Sequence, residues 1–439
     1  MNERGGKIVA FADSGDRKDV VYFSINFPEL SQTFVFNEMR SLRDEGADIR
    51  VVALRREVQE ASDLPEKYGF AGKVKYLSAS NGSGGKWRRL RDLLRSMFRL
   101  PRSSLLNVAR ICIARLAGKR PSMPISLQVR LAAELQPKGT QPRIHCHFGT
   151  AGRIVADLKQ AGLISAPITT VFHGFDITKY VGKEAKGVYR TLFDKADLLL
   201  PISDLWHRKL IELDAPAEKI RTQRLGIDCS AFVYQERTPQ PGMPLRFILV
   251  GRMTEKKGHI YAIEAFAELV RRRPDLNVQF DVVGSGPLRE DIDALAASLG
   301  LKEQIVIHGS LPHAEVRKLL GEAHVFVLPS VTAADGDMEG IPVAIMEAMA
   351  MGLPVISTLH SGIPELVAHD VSGLLVAERD TASLSAAMEQ LAADPQKVSR
   401  MGQYGRQIVE ERYNDKTQAA ALMTMLSALP LKRKITIAG

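Results

Sequence analysis

The sequence predicts an α/β protein with two doubly wound parallel sheets, one in each half of the chain. Short apolar runs of strand length alternate with helical stretches in both halves, which is the pattern of a parallel sheet with helices on its faces. The length of 439 residues exceeds the size at which a single core stops growing, so two domains are expected. A stretch rich in proline and glycine, residues 238–244, predicts the linker between them.

Composition is typical of a soluble globular protein, with 45% hydrophobic and 25% charged residues. No apolar run approaches the ~18 residues of a membrane span. The N-terminus lacks the apolar core of a secretory signal. Cys112, Cys146 and Cys229 are too few and too far apart to suggest a disulfide framework or a zinc site. We therefore expect a cytosolic protein.

In the first half, six apolar runs predict parallel strands, and the stretches between them predict crossover helices. The predicted strands are 20–25, 49–54, 74–77, 144–148, 168–172 and 198–202, and the predicted helices include 34–45, 151–161 and 189–196. Ligands bind at the carboxyl ends of such strands. The loops that follow the strands are therefore the candidate functional loops.

The loop after the first strand, residues 26–34, can serve either the next helix or a ligand. Ser31 and Thr33 can cap the helix that follows. The same helix start presents free N–H groups that suit a phosphate. Both interpretations stay open for these two residues.

The loop after the fifth strand contains His173, Gly174 and Asp176. His173 ends a buried strand and can be structural or catalytic, and Gly174 lets another backbone approach closely. His145 and His147 end a neighbouring strand and share one face. Because no third metal ligand is evident, we interpret these two as structural or cleft-lining.

The segment 86–120 carries more than the whole net charge of +9. Its basic residues, opposed only by Asp92, are Lys86, Arg88, Arg89, Arg91, Arg95, Arg99, Arg102, Arg110, Arg115, Lys119 and Arg120. Apolar positions 87, 90, 94, 97 and 98 share one helical face, which suits an anionic membrane surface. The alternative is a solvated face beside an ordinary packed helix. No recognisable nucleic-acid module accompanies the charge, so we expect no nucleic-acid binding.

The second half begins with a strand, 246–250, followed by the run GRMTEKKG at 251–258. Arg252 and Lys257 place two cations at the strand end, which match a diphosphate in charge or form a solvated basic turn. The later run GSGPL at 284–288 lacks the dinucleotide fingerprint and its following acid. A further strand, 305–307, leads into a turn that contains His308 and Gly309.

Residues 326–366 are the most informative stretch. A strand and a polar loop lead into an apolar helix, 342–351, with Pro342 in its first turn, where the missing N–H costs nothing. Glu347 alone interrupts the apolar surface, and a buried carboxylate needs hydrogen-bond donors. Glu339 precedes the helix start, where free amides favour anions. Either acid can also be structural, Glu347 by pairing with a core arginine and Glu339 by capping the helix.

The same stretch resembles the signature of family four of the retaining glycosyltransferases, in which two glutamates stand in a fixed frame. Here the frame reads EGIPVAIMEAMAMGLPVI at 339–356. The resemblance covers nearly the whole chain and includes the His-Gly pair at 173–174 and the Gly-Arg…Lys-Gly run at 251–258. It implies two Rossmann-like domains that face a cleft, the GT-B fold. It also implies sugar transfer from a nucleotide donor with retention at the anomeric carbon.

The resemblance assigns expected roles to single residues. The catalytic candidates are His173, Arg252, Lys257 and Glu339, of which the two cations would stabilise the departing phosphates. The donor-binding candidates are Gly251, His308, Gly309, Gly340, Ile341, Pro342 and Glu347, with Glu347 on the ribose. The acceptor or cleft candidates are Ser31, Thr33 and Asp176. No metal or other cofactor is expected.

The implied acceptor domain spans 1–228 and the donor domain 229–410, with a C-terminal helix in 411–439 that packs back on the first domain. The run SVTAADGDME at 330–339 resembles bacterial exopolysaccharide enzymes of the colanic-acid type. This implies a nucleotide-sugar donor such as a UDP-hexose, an acceptor saccharide on polyprenyl diphosphate, and a place at the inner face of the plasma membrane. Two alternatives stay open, a nucleotide-sugar epimerase of the same fold and a non-catalytic membrane-surface binding protein.

Overall fold

The computed structural model describes residues 19–29, 32–56, 63–77, 86–116, 123–237 and 242–431. The first half contains β1 (Asp19–Phe27), α1 (Thr33–Asp44), β2 (Asp48–Arg56), α2 (Leu64–Lys67), β3 (Val74–Tyr76), α3 (Lys86–Arg99), α4 (Arg102–Leu116), α5 (Ile125–Leu135), β4 (Arg143–His147), α6 (Gly149–Gln160), β5 (Ile168–Phe172), α7 (Lys179–Lys183), α8 (Arg190–Lys195), β6 (Leu198–Pro201) and α9 (Asp204–Glu212).

The second half repeats the alternation of strand and helix. It contains β7 (Leu245–Val250), α10 (His259–Arg272), β8 (Val278–Val283), α11 (Arg289–Ser298), β9 (Ile305–Gly309), α12 (His313–Glu322), β10 (Val325–Leu328), α13 (Val343–Ala350), β11 (Val355–Thr358), α14 (Ile363–Leu366), β12 (Gly373–Val376), α15 (Thr381–Ala393), α16 (Pro395–Arg412) and α17 (Asp415–Ser427).

Each half forms a six-stranded parallel sheet, in the orders β3-β2-β1-β4-β5-β6 and β12-β11-β10-β7-β8-β9. Counted within its own half, each sheet has the order 3-2-1-4-5-6 of a doubly wound dinucleotide-type fold, which confirms the predicted fold class. Strands β4, β5, β10 and β11 are buried along their whole length, because helices cover both faces of each sheet. The strand order reverses between β1 and β4 in the first sheet and between β7 and β10 in the second. The loops that follow these four strands therefore lie at the positions where doubly wound folds bind ligands.

Helix α17 packs against α1 of the first half. The Ser41 hydroxyl donates to Asp415 Oδ2 at 2.9 Å, and Arg40 pairs with the same carboxylate oxygen at 3.3 Å. The backbone amide of Ile227 donates to the Tyr413 carbonyl at 2.9 Å. The last helix therefore contacts the first half, whereas the domain limits at 228 and 410 stay predictions.

Three details differ from the predicted elements. Strand β9 continues to Gly309, so His308 and Gly309 belong to the strand rather than to a turn after it. Helix α13 begins at Val343, and Pro342 is the residue that precedes the helix rather than part of its first turn. The basic segment forms two helices, α3 and α4, which are interrupted at Pro101. No helix in the described part of the chain is long and apolar enough to span a bilayer.

Candidate functional site

The two halves meet backbone to backbone at the loop after β5 and the loop before α13. A Cβ atom at Gly340 would overlap the carbonyl oxygen of His173 and press on Ile202. On the opposite side, Gly174 has a φ of 150° and faces the backbone of residues 338–340. Only residues without a Cβ allow this approach. It brings His173 of the first half beside Glu339 of the second.

Glu339 is 6% exposed and lies against two lysines. Lys257 Nζ donates to Glu339 Oε2 at 3.0 Å, and Lys256 Nζ lies 3.8 Å from Oε1. Burial alone would raise the pKa of Glu339, but Lys257 and Lys256 outweigh it and hold the pKa below its ordinary value. Within the described residues, the buried Oε1 atom makes no hydrogen bond. It is therefore available to accept one from a ligand hydroxyl.

A cavity of about 460 Å³ lies in the cleft beside this pair. The second half contributes Arg252, Lys256 and Asp337 to its wall, and the first half contributes His147 and Phe175. Arg252 is exposed at the end of β7.

Arg252 and Lys256 line the cavity together with two acids, Glu29 and Asp337, of which Asp337 pairs with Lys256 at 3.2 Å. The cations Arg252, Lys256 and Lys257 can bind a diphosphate where it displaces these carboxylate partners.

The backbone of Glu339 is held from both sides by residues that follow β11. Its amide donates to His360 Nε2 at 3.1 Å, and its carbonyl accepts from the Ser361 hydroxyl at 2.6 Å. His360 is fully buried, and its Nδ1 lies 2.6 Å from Glu378 Oε1. Because the backbone amide is a donor, Nε2 must be the bare nitrogen and Nδ1 carries the proton towards Glu378.

His173 is 8% exposed and belongs to a row of polar side chains in the first half. Its Nε2 lies 3.0 Å from His147 Nδ1, and His147 Nε2 lies 2.9 Å from Glu38 Oε1. Burial lowers the pKa of His173 well below its ordinary value, and the neighbouring His147 adds to this effect. His173 is therefore uncharged at neutral pH.

Glu38 also supplies the third candidate metal ligand that the sequence did not reveal. One ligand atom each from Glu38, His145 and His147 lies within 4.8 Å of the other two. His147 Nε2 lies at hydrogen-bond distance from Glu38 Oε1, 2.9 Å, whereas His145 Nε2 approaches the same oxygen at 3.2 Å without hydrogen-bond geometry. His145 Nδ1 in turn faces the Thr169 hydroxyl at 2.6 Å.

Asp176 is held by backbone hydrogen bonds. It is fully buried, and its carboxylate accepts from the backbone amides of His173 and Gly174, both at 3.0 Å, and of Gly149 at 2.8 Å. The raised pKa of Asp176 follows from its burial, which outweighs these backbone hydrogen bonds. Asp176 thus shapes the loop that carries His173, and its role at the acceptor or in the cleft stays a prediction.

Glu347 lies in a second cavity, of about 630 Å³, between the two halves. Thr33 and Arg40 of α1 line it, together with Arg317 of α12. Burial raises the pKa of Glu347 to about 7, and Arg317 offsets part of the effect. The carboxylate is half-buried and shares the cavity lining with Arg317. Within the described residues the two form no ion pair within 4.0 Å, so the pairing with a core arginine that the sequence left open is not formed here.

The remaining site candidates occupy varied places. Thr33 is the first residue of α1 and makes no capping hydrogen bond, so it does not cap the helix, and Ser31 lies outside the described residues. The amide of Gly251 is used by the Val283 carbonyl, and His308 Nε2 faces Asp281 at 2.8 Å. Gly309 has a φ of 73°. Ile341 and Pro342 are buried at the start of α13.

The described part of the basic segment exposes apolar and basic side chains together. The exposed fractions are 47% for Leu94 and 82% for Phe98 on α3, and 70% for Leu106 and 65% for Ile113 on α4. Met97 packs on the core instead, so the predicted apolar face divides between core and solvent. The side chains at 87 and 90 and residues 117–120 lie outside the described part.

Several residues of this site were not predicted as functional. Glu38, Lys256, His360 and Glu378 each act through a partner far away in the sequence. Glu38 lies on a helix that also carries Arg40, Arg43 and Asp44, so its charge does not single it out in the sequence. The other three residues have no local signal either.

Comparison with known proteins agrees with this geometry. The description "Glycosyl transferases group 1" matches residues 233–408, the part that contains β7 to α16. Relatives more than 30% identical extend the match over nearly the whole chain. The chain belongs to this family of glycosyltransferases.

Particular relatives come from enterobacterial polysaccharide synthesis. The colanic acid biosynthesis glycosyltransferase WcaL is 36% identical in Salmonella typhimurium and 37% in Escherichia coli, covering 93% of this chain and 100% of each relative. The amylovoran biosynthesis glycosyltransferase AmsK of Erwinia amylovora is 35% identical over 93% of this chain and 99% of its own length.

The fold matches solved glycosyltransferases and so confirms the GT-B prediction. The Anabaena protein Alr3699/HepE, solved with UDP and glucose, has a TM-score of 0.69 at 16% identity, over 94% of this chain and 100% of its own. Sucrose-phosphate synthase of Thermosynechococcus elongatus has a TM-score of 0.68 at 18% identity, over 94% and 98%. At such identities the likeness concerns the fold alone.

Proposed function

We propose that this chain is a retaining glycosyltransferase that moves a sugar from a nucleotide donor to a lipid-linked saccharide in bacterial exopolysaccharide synthesis. One observation carries the proposal: Glu339 and Lys257, paired at 3.0 Å, lie beside His173 at the backbone contact between the halves. The relatives named for colanic acid and amylovoran synthesis support the biological setting.

The charges suit the departure of a nucleoside diphosphate. As the bond to the sugar breaks, negative charge grows on the phosphate oxygen, and Arg252, Lys256 and Lys257 stabilise it. Lys257 then exchanges its partner Glu339 for phosphate, which frees both carboxylate oxygens of Glu339 for sugar hydroxyls. Fixed cations supply the charge that a metal ion provides elsewhere, so we propose that transfer persists after treatment with EDTA.

The donor is proposed to be a UDP-hexose with its ribose on Glu347. Anabaena HepE, 16% identical, was solved with UDP and glucose, whereas a relative of Mycolicibacterium smegmatis that is 28% identical is named as a GDP-mannose-dependent mannosyltransferase. The nucleotide base of the donor is therefore the first property to measure. A thermal-shift screen with UDP, GDP and ADP tests it, because a ligand that binds the folded state alone raises the melting temperature.

We expect one nucleotide to raise the melting temperature selectively, by a few degrees at saturating concentration, and Glu347→Ala to reduce that rise. The matched control is Glu389→Ala, which removes a half-buried carboxylate of the same half that pairs with Arg272 and Arg273 outside the cleft. If no nucleotide stabilises the wild-type chain, the transferase proposal fails.

The alternatives predict different products. A nucleotide-sugar epimerase of the same fold would convert the donor sugar without an acceptor, and proton exchange with deuterated water would mark the product. A non-catalytic surface protein would bind vesicles without binding any nucleotide. Among the described residues, Glu339 Oε1 is buried, ion-paired with Lys256 at 3.8 Å and without a hydrogen bond, which favours a site that accepts a donor-sugar hydroxyl over a purely surface-binding protein.

We also propose that α3 and α4 hold the enzyme at the anionic inner leaflet, where a polyprenyl diphosphate acceptor resides. Leu94 and Phe98 are one helical turn apart, and Leu106 and Ile113 are two turns apart, so each pair forms a stripe. Arg95 and Arg110 are exposed beside these stripes. At such a surface, the insertion of apolar side chains into the bilayer and the attraction between arginines and anionic lipid headgroups both contribute to the binding free energy.

A vesicle assay tests this surface. Phe98→Glu combined with Leu106→Glu is expected to lower binding to phosphatidylglycerol vesicles at least ten-fold. Met243→Glu is the matched control, because Met243 is 63% exposed outside the basic segment. Equal loss in the control, or undiminished binding in the double variant, would refute the membrane proposal and leave the nucleotide assay unaffected.

A further inference from the structure

A buried polar row in the first half links helix α1 to the loop that faces Glu339. It consists of Glu38 on α1, His147 at the end of β4 and His173 after β5, with ring-to-partner distances of 2.9 and 3.0 Å. His147 and His173 are 5% and 8% exposed, and the Glu38 side chain is 15% exposed. The three residues are separated by 109 and 26 positions in the sequence, so only the fold brings them together.

The proton positions in this row follow from the ionisation state of Glu38, the residue at one end of the row. Burial alone would raise the pKa of Glu38, but His147 and His145 outweigh it and hold the pKa well below its ordinary value. Glu38 is therefore a carboxylate, which can only accept hydrogen bonds. His147 must place a proton on Nε2 to reach this carboxylate. We take His147 in its neutral form, whose Nδ1 is bare, because a doubly protonated His147 would donate to His173 and reverse the arrangement. His173 must in turn donate from its own Nε2.

The ring of His173 is enclosed on its other sides. Phe34 and Phe148 pack against it with ring centroids 4.9 and 4.5 Å away. The Tyr22 hydroxyl donates to the same Glu38 oxygen at 2.7 Å, and His145 Nε2 approaches it at 3.2 Å. In the described part of the chain, His173 Nδ1 has no hydrogen-bond partner. The row thus leaves one defined acceptor nitrogen on His173.

We propose that Glu38 is a positioning residue that acts through His147 to orient His173 and keep its Nδ1 free of a proton, ready to accept a hydrogen bond from a hydroxyl of the bound sugar. Two acids hold different parts of His173. Asp176 fixes the backbone of this loop by accepting hydrogen bonds from the His173 and Gly174 amides, whereas Glu38 fixes the imidazole ring of His173 through His147. The hydroxyl partner rests on the proposed transferase function, but the proton arrangement does not.

Nitrogen NMR of the full chain, labelled with ¹⁵N-histidine and treated with EDTA, tests the inference at pH 8. A His173→Gln spectrum identifies the His173 signals. In the wild type we expect a protonated Nε2 and a bare Nδ1 on His173. In Glu38→Ala, the two ring nitrogens should move towards the averaged shifts of a free imidazole. Glu38→Gln should restore the wild-type pattern, because its amide oxygen still accepts from His147.

The matched control is Glu134→Ala, which removes a carboxylate of the same half with 14% exposure that pairs with Arg99. It should leave the His173 signals unchanged. Circular dichroism verifies that each variant is folded before its spectrum is read. A protonated Nδ1 on His173 in the wild type, or unchanged His173 shifts in Glu38→Ala, would overturn the inference. Failure of the nucleotide screen would instead overturn the transferase proposal, and the two results are read independently.

Discussion

At the scale of single residues, burial decides the chemistry of Glu347. Burial of the Glu347 carboxyl outweighs the opposing effect of Arg317 and favours the protonated form, so the folded state binds a proton more tightly than the unfolded chain does. In contrast, Glu339 is more deeply buried but stays ionised, because two lysines face it. The two acids of one motif therefore carry different charges at neutral pH.

This contrast predicts a pH-dependent stability. The pKa of Glu347 is about 7 in the folded state and near 4.5 in the unfolded chain. Its contribution to the free energy of unfolding is therefore fully present below pH 4.5 and is lost as the pH rises to about 7. After allowance for solvent screening, the loss is on the order of 1–2 kcal/mol. Glu347→Gln should remove this slope in urea unfolding between pH 5 and pH 8. A slope equal to that of the wild type would contradict the prediction.

At the scale of elements, the loop between β10 and α13 is shaped from outside itself. Its Glu339 backbone is held by His360 and Ser361, which follow β11, and His360 is backed by Glu378, which follows β12. Three neighbouring strand ends thus fix one carboxylate. Parallel strands bring such loops to one edge of the sheet, which is why this edge forms the site.

His360→Ala is expected to loosen this loop. It leaves the buried Glu339 amide without its acceptor, which costs about 1–3 kcal/mol, and hydrogen exchange of that amide should accelerate by at least ten-fold. His360→Gln should restore part of the protection, because its amide oxygen can accept from the same N–H. Unchanged exchange at Glu339 in His360→Ala would show that the hydrogen bond does not hold the loop.

At the scale of the whole molecule, the site exists only where the two sheets face each other. Gly174 and Gly340 allow the backbones to touch, and Lys179 of α7 forms an ion pair with Asp335 across the same cleft. Glu365 of the second half accepts from the amides of Asp204 and Leu205 at the start of α9, both at 2.8 Å. The structure is therefore a closed arrangement of the two halves.

Gly340→Ala should interfere with this contact between the halves. Its Cβ would overlap the His173 carbonyl, so we expect sugar transfer to fall at least ten-fold. Gly321→Ala on α12 is the matched control, because its Cβ would meet nothing nearer than 3.8 Å. Equal transfer by the two variants would show that closure at Gly340 is not required.

The sequence alone determined the two-sheet architecture and most strand positions, including β5 at its observed bounds, because apolar runs and the turns that end them are local properties of the chain. It also singled out Arg252, Lys257, Glu339 and Glu347 by their places in a recognisable frame, in which Glu347 lies within α13.

Only the tertiary structure decided which groups face one another. It paired Lys257 with Glu339, buried Asp176 under three amides and turned Met97 inward beside an exposed Phe98. It also assembled Glu38, His147 and His173 from three separate elements. Such contacts depend on how the crossover helices wind and where each strand lies in its sheet. No short stretch of sequence encodes these contacts, because a contact between distant residues contributes to stability only after the fold has placed both residues.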